Sequence, residues 1–516
     1  MATSIADTLR RAGLGLALLL GTTALATAQT RGGTAIDANV GGPGTFDPAM
    51  IATTIELETL NQMFEGLVMM DENYRPKPMI ASAVETGADG MTYKFTLRKG
   101  VKFHNGKELT SADVLATYER YARISPNAVV LANVAGYDVP DAHSFVIRLK
   151  VPSGVFLDIL KSPAYPLGII PAEHKDKPAR DPEVNVGTGP FRFGEWQKDS
   201  HFIMRRFDGY VPDESSPGPD GYAGRKTVYL DAVRYNFVPE ANARVAALQA
   251  GDADIAPTIP PELLPRFNGR NDIVVEKVFP GCQNIFLLSA GNPPTNNVLI
   301  RRAIQAAVNT QDIADASGQI TRENPSILYA ESPYYDAAAV KPYYNMNSPA
   351  KAKALLAEAG YKGEKIVLQT NSNYSYMRDE ILVLSEQLKS VGMNVEVQVV
   401  DWMTNANNMA NRGAGWNVST SGFCSQPLLG PQQWRNMVYN FSNIKGDTEL
   451  DTAYDKFFAS VDVGERRKAW LAAEQSILGK AYFIKVADAG TVFAYSKKLT
   501  GIKAWYNIRF WNVSRQ

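Results

Sequence analysis

Val101-Lys102-Phe103-His104-Asn105-Gly106-Lys107-Glu108-Leu109-Thr110-Ser111-Ala112-Asp113-Val114 sets a strand end, a turn and a helix start side by side. Apolar Val101 and Phe103 flank Lys102, the alternation of a half-buried strand. His104-Asn105-Gly106 reads as the turn that follows it. Thr110 and Asp113 form a capping box, in which a hydroxyl and a carboxylate take up the first free amides of a helix. That helix is expected from Ser111 to about Arg123.

The same alternation of strand and helix continues outward from this stretch. Upstream, Thr34 to Val40 reads as a short strand, Thr54 to Gly66 as a helix ended by glycine, and Tyr93, Phe95 and Leu97 as a half-buried strand. Downstream, Phe145, Ile147 and Leu149 alternate again. Gly187-Thr188-Gly189-Pro190 breaks the chain before a strand from Phe191 to Trp196. Asp213 to Gly224, rich in Pro, Gly, Ser and Asp, is expected to be an exposed loop. Ala241 to Ala250 is a helix stopped by Gly251, and Asp252 to Ile255 leads into a strand. Later helices are expected near Asn297, Ser348, Tyr376 and Glu465, with Gly360 and Gly392 as C-caps, and Val395, Val397 and Val399 form a strand. The fold class is α/β.

At 516 residues the chain has room for about three domains. Its 53 basic and 53 acidic residues balance, so no net field recruits nucleic acid or an anionic membrane. Residues 1–28 read as a cleaved signal peptide: Arg10 and Arg11, an apolar run from Leu14 to Leu20, then the small residues Ala26-Thr27-Ala28. No cysteine follows to accept a lipid, so the mature chain is expected to be free in a periplasm. The two cysteines, Cys282 and Cys424, both lie in the exported part. An oxidising compartment makes one long-range disulfide the default, with two buried free thiols as the plain alternative.

The residues offer no enzyme signature. His104, His143, His174 and His201 are scattered without metal-ligand spacing. There is no Gly-x-Ser-x-Gly elbow, no Walker loop and no His-Glu-x-x-His, and Gly187-x-Gly189 lacks the third glycine of a dinucleotide site. No metal and no cofactor are expected.

Seven segments in register then resemble the family 5 extracellular solute-binding proteins of ABC importers, the oligopeptide- and dipeptide-binding class. They are Phe46-Asp47-Pro48, the Val101–Val114 stretch, Gly187 to Phe191, Ala247 to Asp254, Arg301 to Ile304, Ala352 to Tyr361, and Gln387 to Gly392. The resemblance covers nearly the whole mature chain. It implies a periplasmic-binding-protein-like, two-lobed hinged fold with an extra inserted domain. Lobe I would comprise 29–68, 185–281 and 486–516, lobe II 69–184, and lobe III 282–485. The quoted motifs are expected to be scaffold. Some oligopeptide binders bridge positions comparable to Cys282 and Cys424, which favours the disulfide.

The resemblance also implies where a ligand sits. Arg378 aligns with an arginine that clasps the ligand carboxylate in dipeptide binders, and a guanidinium suits a carboxylate through its bidentate fork. Trp402 matches a cleft aromatic, with Trp416 and Phe423 as further candidates for an aromatic wall. Peptide binders place an aspartate after a Trp-Cys-Ala-like run to hold the ligand ammonium. Here Gly422-Phe423-Cys424-Ser425-Gln426 sets Gln426, or with a one-residue slip Ser425, at that point, and neither is acidic. A neutral amide does not replace a carboxylate against a buried ammonium. The stretch from Gly413 to Trp434 is expected to line the site. The expected function is capture of a small carboxylate-bearing solute, such as an opine, a modified peptide or a sugar conjugate, by a monomer that delivers it to ABC permease subunits. Unmodified di- or oligopeptides are the leading alternative. Nickel chelates, haem and glutathione, all carried by relatives, stay open, as do a sensory binding protein and a periplasmic hydrolase.

Overall fold

The computed structural model describes residues 30–51, 53–163, 167–410, 415–424, 430–505 and 507–516. The expected signal peptide lies outside them. The first strand, β1 (Thr34–Asn39), has four of its residues buried, as befits a central parallel strand covered on both faces. Helix α1 (Thr54–Leu60) begins at Thr53, whose capping box with Glu56 satisfies the first amides. It stops at Leu60 rather than running to Gly66. The next carbonyls are taken from outside: Gly189 N–H donates to Met63 O at 2.9 Å and Phe191 N–H to Gln62 O at 3.1 Å. An added Cβ at Gly189 would lie 2.6 Å from Met63 C, and one at Gly187 2.2 Å from Met63 O, so that turn needs glycine.

Strands β2 (Ala81–Thr86), β3 (Thr92–Leu97), β4 (Val134–Asp141) and β5 (Ser144–Leu149) form a four-stranded antiparallel sheet in the order β2-β3-β5-β4. Helix α2 (Ser111–Ile124) packs Val114, Tyr118 and Tyr121 on Phe95, Phe145 and Ile147, and α3 (Phe156–Leu160) closes this core. The strand expected at Val101–Phe103 is reduced to a single bridge, Lys102 to Glu108. The tight turn returns at once, Phe103 N–H to Lys107 O and Leu109 N–H to Val101 O, both 2.8 Å, which leaves no edge for a partner. Asp113 accepts from the Thr110 amide at 2.8 Å and anchors α2 as expected.

The rest of the chain builds one eleven-stranded sheet. In chain order its first part holds β6 (Phe191–Gln197), β7 (His201–Arg206), β8 (Ala232–Phe237), α4 (Ala241–Ala250) and β9 (Ile255–Ala256). Then come β10 (Ile273–Leu288), α5 (Val298–Ala307), α6 (Thr310–Ala316), β11 (Thr321–Arg322), α7 (Pro349–Glu358), β12 (Lys365–Asn371), α8 (Ser375–Ser390) and β13 (Asn394–Val400). Its last part holds α9 (Trp402–Ala410), β14 (Val418–Phe423), α10 (Trp434–Phe441), α11 (Thr448–Ala459), α12 (Val463–Gly479) and β15 (Phe483–Ser496), after which Leu499–Thr500 and Ser514–Arg515 pair as a separate two-stranded ribbon. The strand order is β13-β12-β14-β10-β15-β9-β1-β8-β7-β6, with β11 on β15. Helices flank the strands on both faces, a mixed α/β architecture.

Among the described residues, only β10 and β15 belong to both halves of this sheet. Val278 pairs with Thr491, the register then breaks, and pairing resumes at Cys282 with Ala489. Beyond the break the two halves have separate cores. One contains Phe191, Phe202, Tyr235 and Phe510. In the other, successive residues of β10 point to opposite faces, with Ile285 and Leu287 toward Trp416, Trp434 and Trp470, and Phe286 and Leu288 toward Leu368 and Leu384. The 213–224 segment corrects the expectation of an exposed loop: Asp213, Ser216, Tyr222 and Ala223 are buried, because Tyr222 packs among aromatic rings.

His104 locks the glycine turn to the four-stranded layer. Its Nδ1 accepts from Gly187 N–H at 3.1 Å and its Nε2 meets Gly189 O at 3.1 Å, which sets the neutral Nε2–H tautomer. Burial lowers its pKa from 6.5 to about 4, with the backbone contacts to Gly189 and Asn185 opposing that fall only in part. A depressed histidine pKa means the unfolded chain binds the extra proton first. This contribution to stability is complete above pH 6.5 and is lost as pH falls toward 4. Urea unfolding of His104→Gln should show a loss between pH 7 and pH 4.5 that is smaller than wild type by on the order of 2 kcal/mol. Equal losses in both proteins would separate the acid sensitivity from His104.

Candidate functional site

Both halves of the large sheet aim the carboxyl ends of their parallel strands at the same place. Strand β1 runs parallel to β8 and β9, while β9 lies antiparallel to β15, so β1 and β8 end toward the register break. On the other side β14 lies antiparallel to β10, and β12 and β13 run parallel to β14, so Phe423, Asn371 and Val400 also end toward it. Ligands of open α/β sheets bind in the crevice outside the carboxyl ends of strands.

Beside the register break lies a charged and paired cluster. Asp488 on β15, fully buried, accepts from Lys485 Nζ at 2.5 Å, from Asn324 Nδ2 at 3.0 Å and from Arg322 Nε at 3.2 Å. Arg322 also makes a bidentate pair with Glu331, at 2.7 and 2.8 Å, and its guanidinium lies 5.0 Å from the centroid of the Phe279 ring, inside the register break. Arg322 and Glu331 are each a little over one quarter exposed. Burial brings the Lys485 ammonium down to about 8, although Asp488 opposes the shift.

Across from this pair stand Tyr74, Tyr222, Trp505 and Trp511. Trp505 lies 5.6 Å from Tyr74 and 5.1 Å from Tyr222, and Tyr329, from the 322–331 segment, joins the same buried cluster. Burial pushes the Tyr74 hydroxyl well up, and the Glu331 charge adds to it, which places that carboxylate within electrostatic reach. The Tyr329 hydroxyl meets the carbonyls of Gly281, at 3.1 Å, and Cys424, at 3.2 Å, so it ties the 322–331 segment to the break.

At the rim, β12 and β13 end in an aromatic patch. The Tyr374 ring meets Trp402 edge-on at 5.3 Å and Tyr376 at 6.1 Å, and Asn373 Oδ1 accepts from Trp402 N–H at 2.7 Å. Arg378 follows Tyr374 by one helical turn on the same exposed face of α8. It is half exposed and bonded to its neighbour Asp379 at 3.1 Å. Arg378 thus lies one helical turn from Tyr374, whose ring meets Trp402.

The other expected residues fall elsewhere. Trp416 is 1% exposed and donates from its indole to Asn408 O, so it is core rather than wall. Phe423 points from β14 into the same core, 5.5 Å from Trp434, because its neighbours on the strand face the other way. Within the lining expected between Gly413 and Trp434, Val418–Phe423 is this buried strand, and residues 413–414 and 425–429 lie outside the described residues. Ser425 and Gln426 lie outside the described residues. The sequence reading missed Arg322, Glu331, Asp488 and the Tyr74 cluster. A lone Asp488 in the apolar run Val486-Ala487-Asp488-Ala489 was the available signal for a buried, partnered charge.

The chain belongs to the bacterial extracellular solute-binding proteins, family 5, whose Middle region matches residues 75–443. Members of this family serve ABC importers by binding solutes. The chain is 27% identical over 485 residues to the glutathione-binding protein GsiB of Salmonella choleraesuis, covering 89% of each. Two solved structures share the fold. NikA from Brucella suis in complex with Fe(III)-EDTA superposes with a TM-score of 0.78 at 19% identity, over 94% of this chain and 100% of that one. AgaA from A. tumefacien R10 in complex with agropinic acid gives 0.72 at 24% identity, over 94% and 99%.

Cys282 and Cys424 form the expected disulfide, 142 residues apart, and it joins β10 to the end of β14 at the register break. For a loop of this length the entropic contribution reaches at most about 4–5 kcal/mol. The paired Cys282→Ser, Cys424→Ser variant should melt below wild type, and a reducing agent should lower only the wild-type melting temperature. An unchanged melt in both comparisons would deny the bridge a stabilising role.

Proposed function

We propose that this chain is the periplasmic, non-enzymatic solute receptor of an ABC importer, working as a monomer that closes its cleft on a small carboxylate-bearing ligand and presents it to the permease subunits. The convergence of strand ends from both halves on two shared strands carries this reading. That geometry provides a crevice with a hinge at its base. The three cores act as three lobes, with boundaries near 281/282 and 485/486 for lobe III and with 69–184 as the inserted lobe II. Residues 1–28 are the export signal, cleaved after Ala28 without a lipid anchor.

The ligand favours the closed form by its differential affinity, and water exclusion strengthens each polar contact inside. Arg378 takes the ligand anion at the rim and Trp402, with Tyr374, supplies an aromatic wall. Ser425 and Gln426 offer neutral hydrogen-bond groups where peptide binders carry an acid, so a free ammonium is not required. An opine, a modified peptide or a sugar conjugate fits, and the names of GsiB and of the agropinic acid complex support that class. Unmodified di- and oligopeptides are the second reading, favoured by Glu331, a partly exposed carboxylate in the cleft that the sequence pattern did not reveal.

Native mass spectrometry of the purified protein, followed by a thermal-shift screen, tests the ligand class. Opines, sugar acids and modified peptides should raise the melting temperature where plain dipeptides and nickel chelates do not. A shift confined to plain dipeptides would assign the ammonium to Glu331 and overturn the preference. For the ligand so found, Arg378→Ala should weaken binding by about 1.5–3 kcal/mol, the worth of a charged hydrogen bond. Unchanged affinity by calorimetry would remove Arg378 from the site.

A further inference from the structure

We propose that a second pocket, which shares Trp511 with the aromatic wall of the crevice but none of its charged residues, binds a small monocarboxylate with a flat apolar body. The pocket has a volume of about 280 Å³ and is lined by Glu72, Pro219, Gly501, Lys503, Arg509 and Trp511, among others. It therefore holds a compact molecule rather than a peptide.

The charge on its wall is not balanced. Arg509 is 4% exposed, its guanidinium lies 5.0 Å from the centre of the Trp505 ring, and Nη1 donates to Gly221 O at 2.7 Å. Its Nε has no hydrogen-bond partner among the described residues. The carboxylate facing it is Glu72, whose Oε1 stands 3.6 Å from Nη2, a loose ion pair beyond good hydrogen-bond reach. The other oxygen of Glu72 is held by Lys503 Nζ at 2.5 Å. Asp220, paired with Lys77 at 2.8 Å, lies within electrostatic reach of both, so Lys77, Lys503 and Arg509 share the two carboxylates Glu72 and Asp220, leaving one positive charge in excess.

A buried guanidinium without a hydrogen-bonded counter-ion is costly, and its planar fork is completed best by a carboxylate. Burial also weakens the hold of Arg509 on its proton, a strain that an added anion relieves. One excess charge selects a monoanion. Trp511, 3% exposed, together with Pro219 and Gly501, offers the rest of the ligand an apolar surface. Lys503 is mostly exposed and works at the mouth.

Benzoate is the probe, with benzyl alcohol as the uncharged molecule of the same body. Titration calorimetry on the full chain should show saturable benzoate binding and none for benzyl alcohol. Arg509→Gln should lose at least tenfold in benzoate affinity, and Lys503→Ala, at an exposed position safe for folding, should lose a few-fold. Arg378→Ala should bind benzoate as wild type does, because its rim is not part of this pocket. No saturable binding to wild type, equal binding of benzyl alcohol, or an unchanged affinity in Lys503→Ala would overturn the proposal. Loss in Arg378→Ala instead would place the anion in the main crevice and overturn it as well, while leaving the solute-receptor reading intact.

Discussion

Two strands must serve two cores. β10 and β15 pair on both sides of the break at residues 279–281, and every other strand of the large sheet is laid down from one of them outward. A continuous ladder through the break would weld the halves into one rigid sheet. An interrupted ladder keeps the backbone hydrogen bonds on either side and leaves the bend to a few residues, which is how hinges are made in packed proteins. The crevice exists because both sets of parallel strands end at that interruption.

The same place concentrates charge, and charge inside a protein has to be paired. Asp488 collects Lys485, Asn324 and Arg322, and Arg322 in turn collects Glu331. Elsewhere the scaffold repeats the device. Lys226 and Glu65 are fully buried partners at 2.9 Å, and Arg120 holds Asp47 through two bonds. A second link joins the four-stranded layer to the far half. Tyr334 donates to Asp158 at 3.2 Å, Arg466 donates to the Tyr334 hydroxyl at 3.2 Å, and Gly154 N–H donates to Phe458 O at 2.9 Å. The crevice is therefore bounded at its base by shared strands and elsewhere by breakable polar contacts. An opening motion needs that combination.

Much of the scaffold was legible because its signals are local. Asp113 closes its capping box, Gly251 sits at positive φ behind α4, and the valines at 395, 397 and 399 form their strand. Asp47 of the Phe-Asp-Pro motif caps its own turn and anchors Arg120, so a motif quoted as scaffold is scaffold. The errors share one cause. Val101–Phe103 alternates like a strand but has no edge to join. Trp416 and Phe423 are aromatic near a cleft, but strand alternation and neighbouring tryptophans turn them inward. The 213–224 segment has loop composition, yet Tyr222 finds Trp505 and Trp511 through the fold.

What the sequence alone determined was the α/β class, the family, the helix caps and the disulfide partners, since each rests on spacing along the chain or on there being just two cysteines. The tertiary structure alone decided which charges face the crevice. Arg322, Glu331 and Asp488 come together through the pairing of β11 with β15, and Tyr74 reaches them from a segment more than 200 residues away. Pairing of that kind follows from sheet order and burial, which no local window of sequence contains.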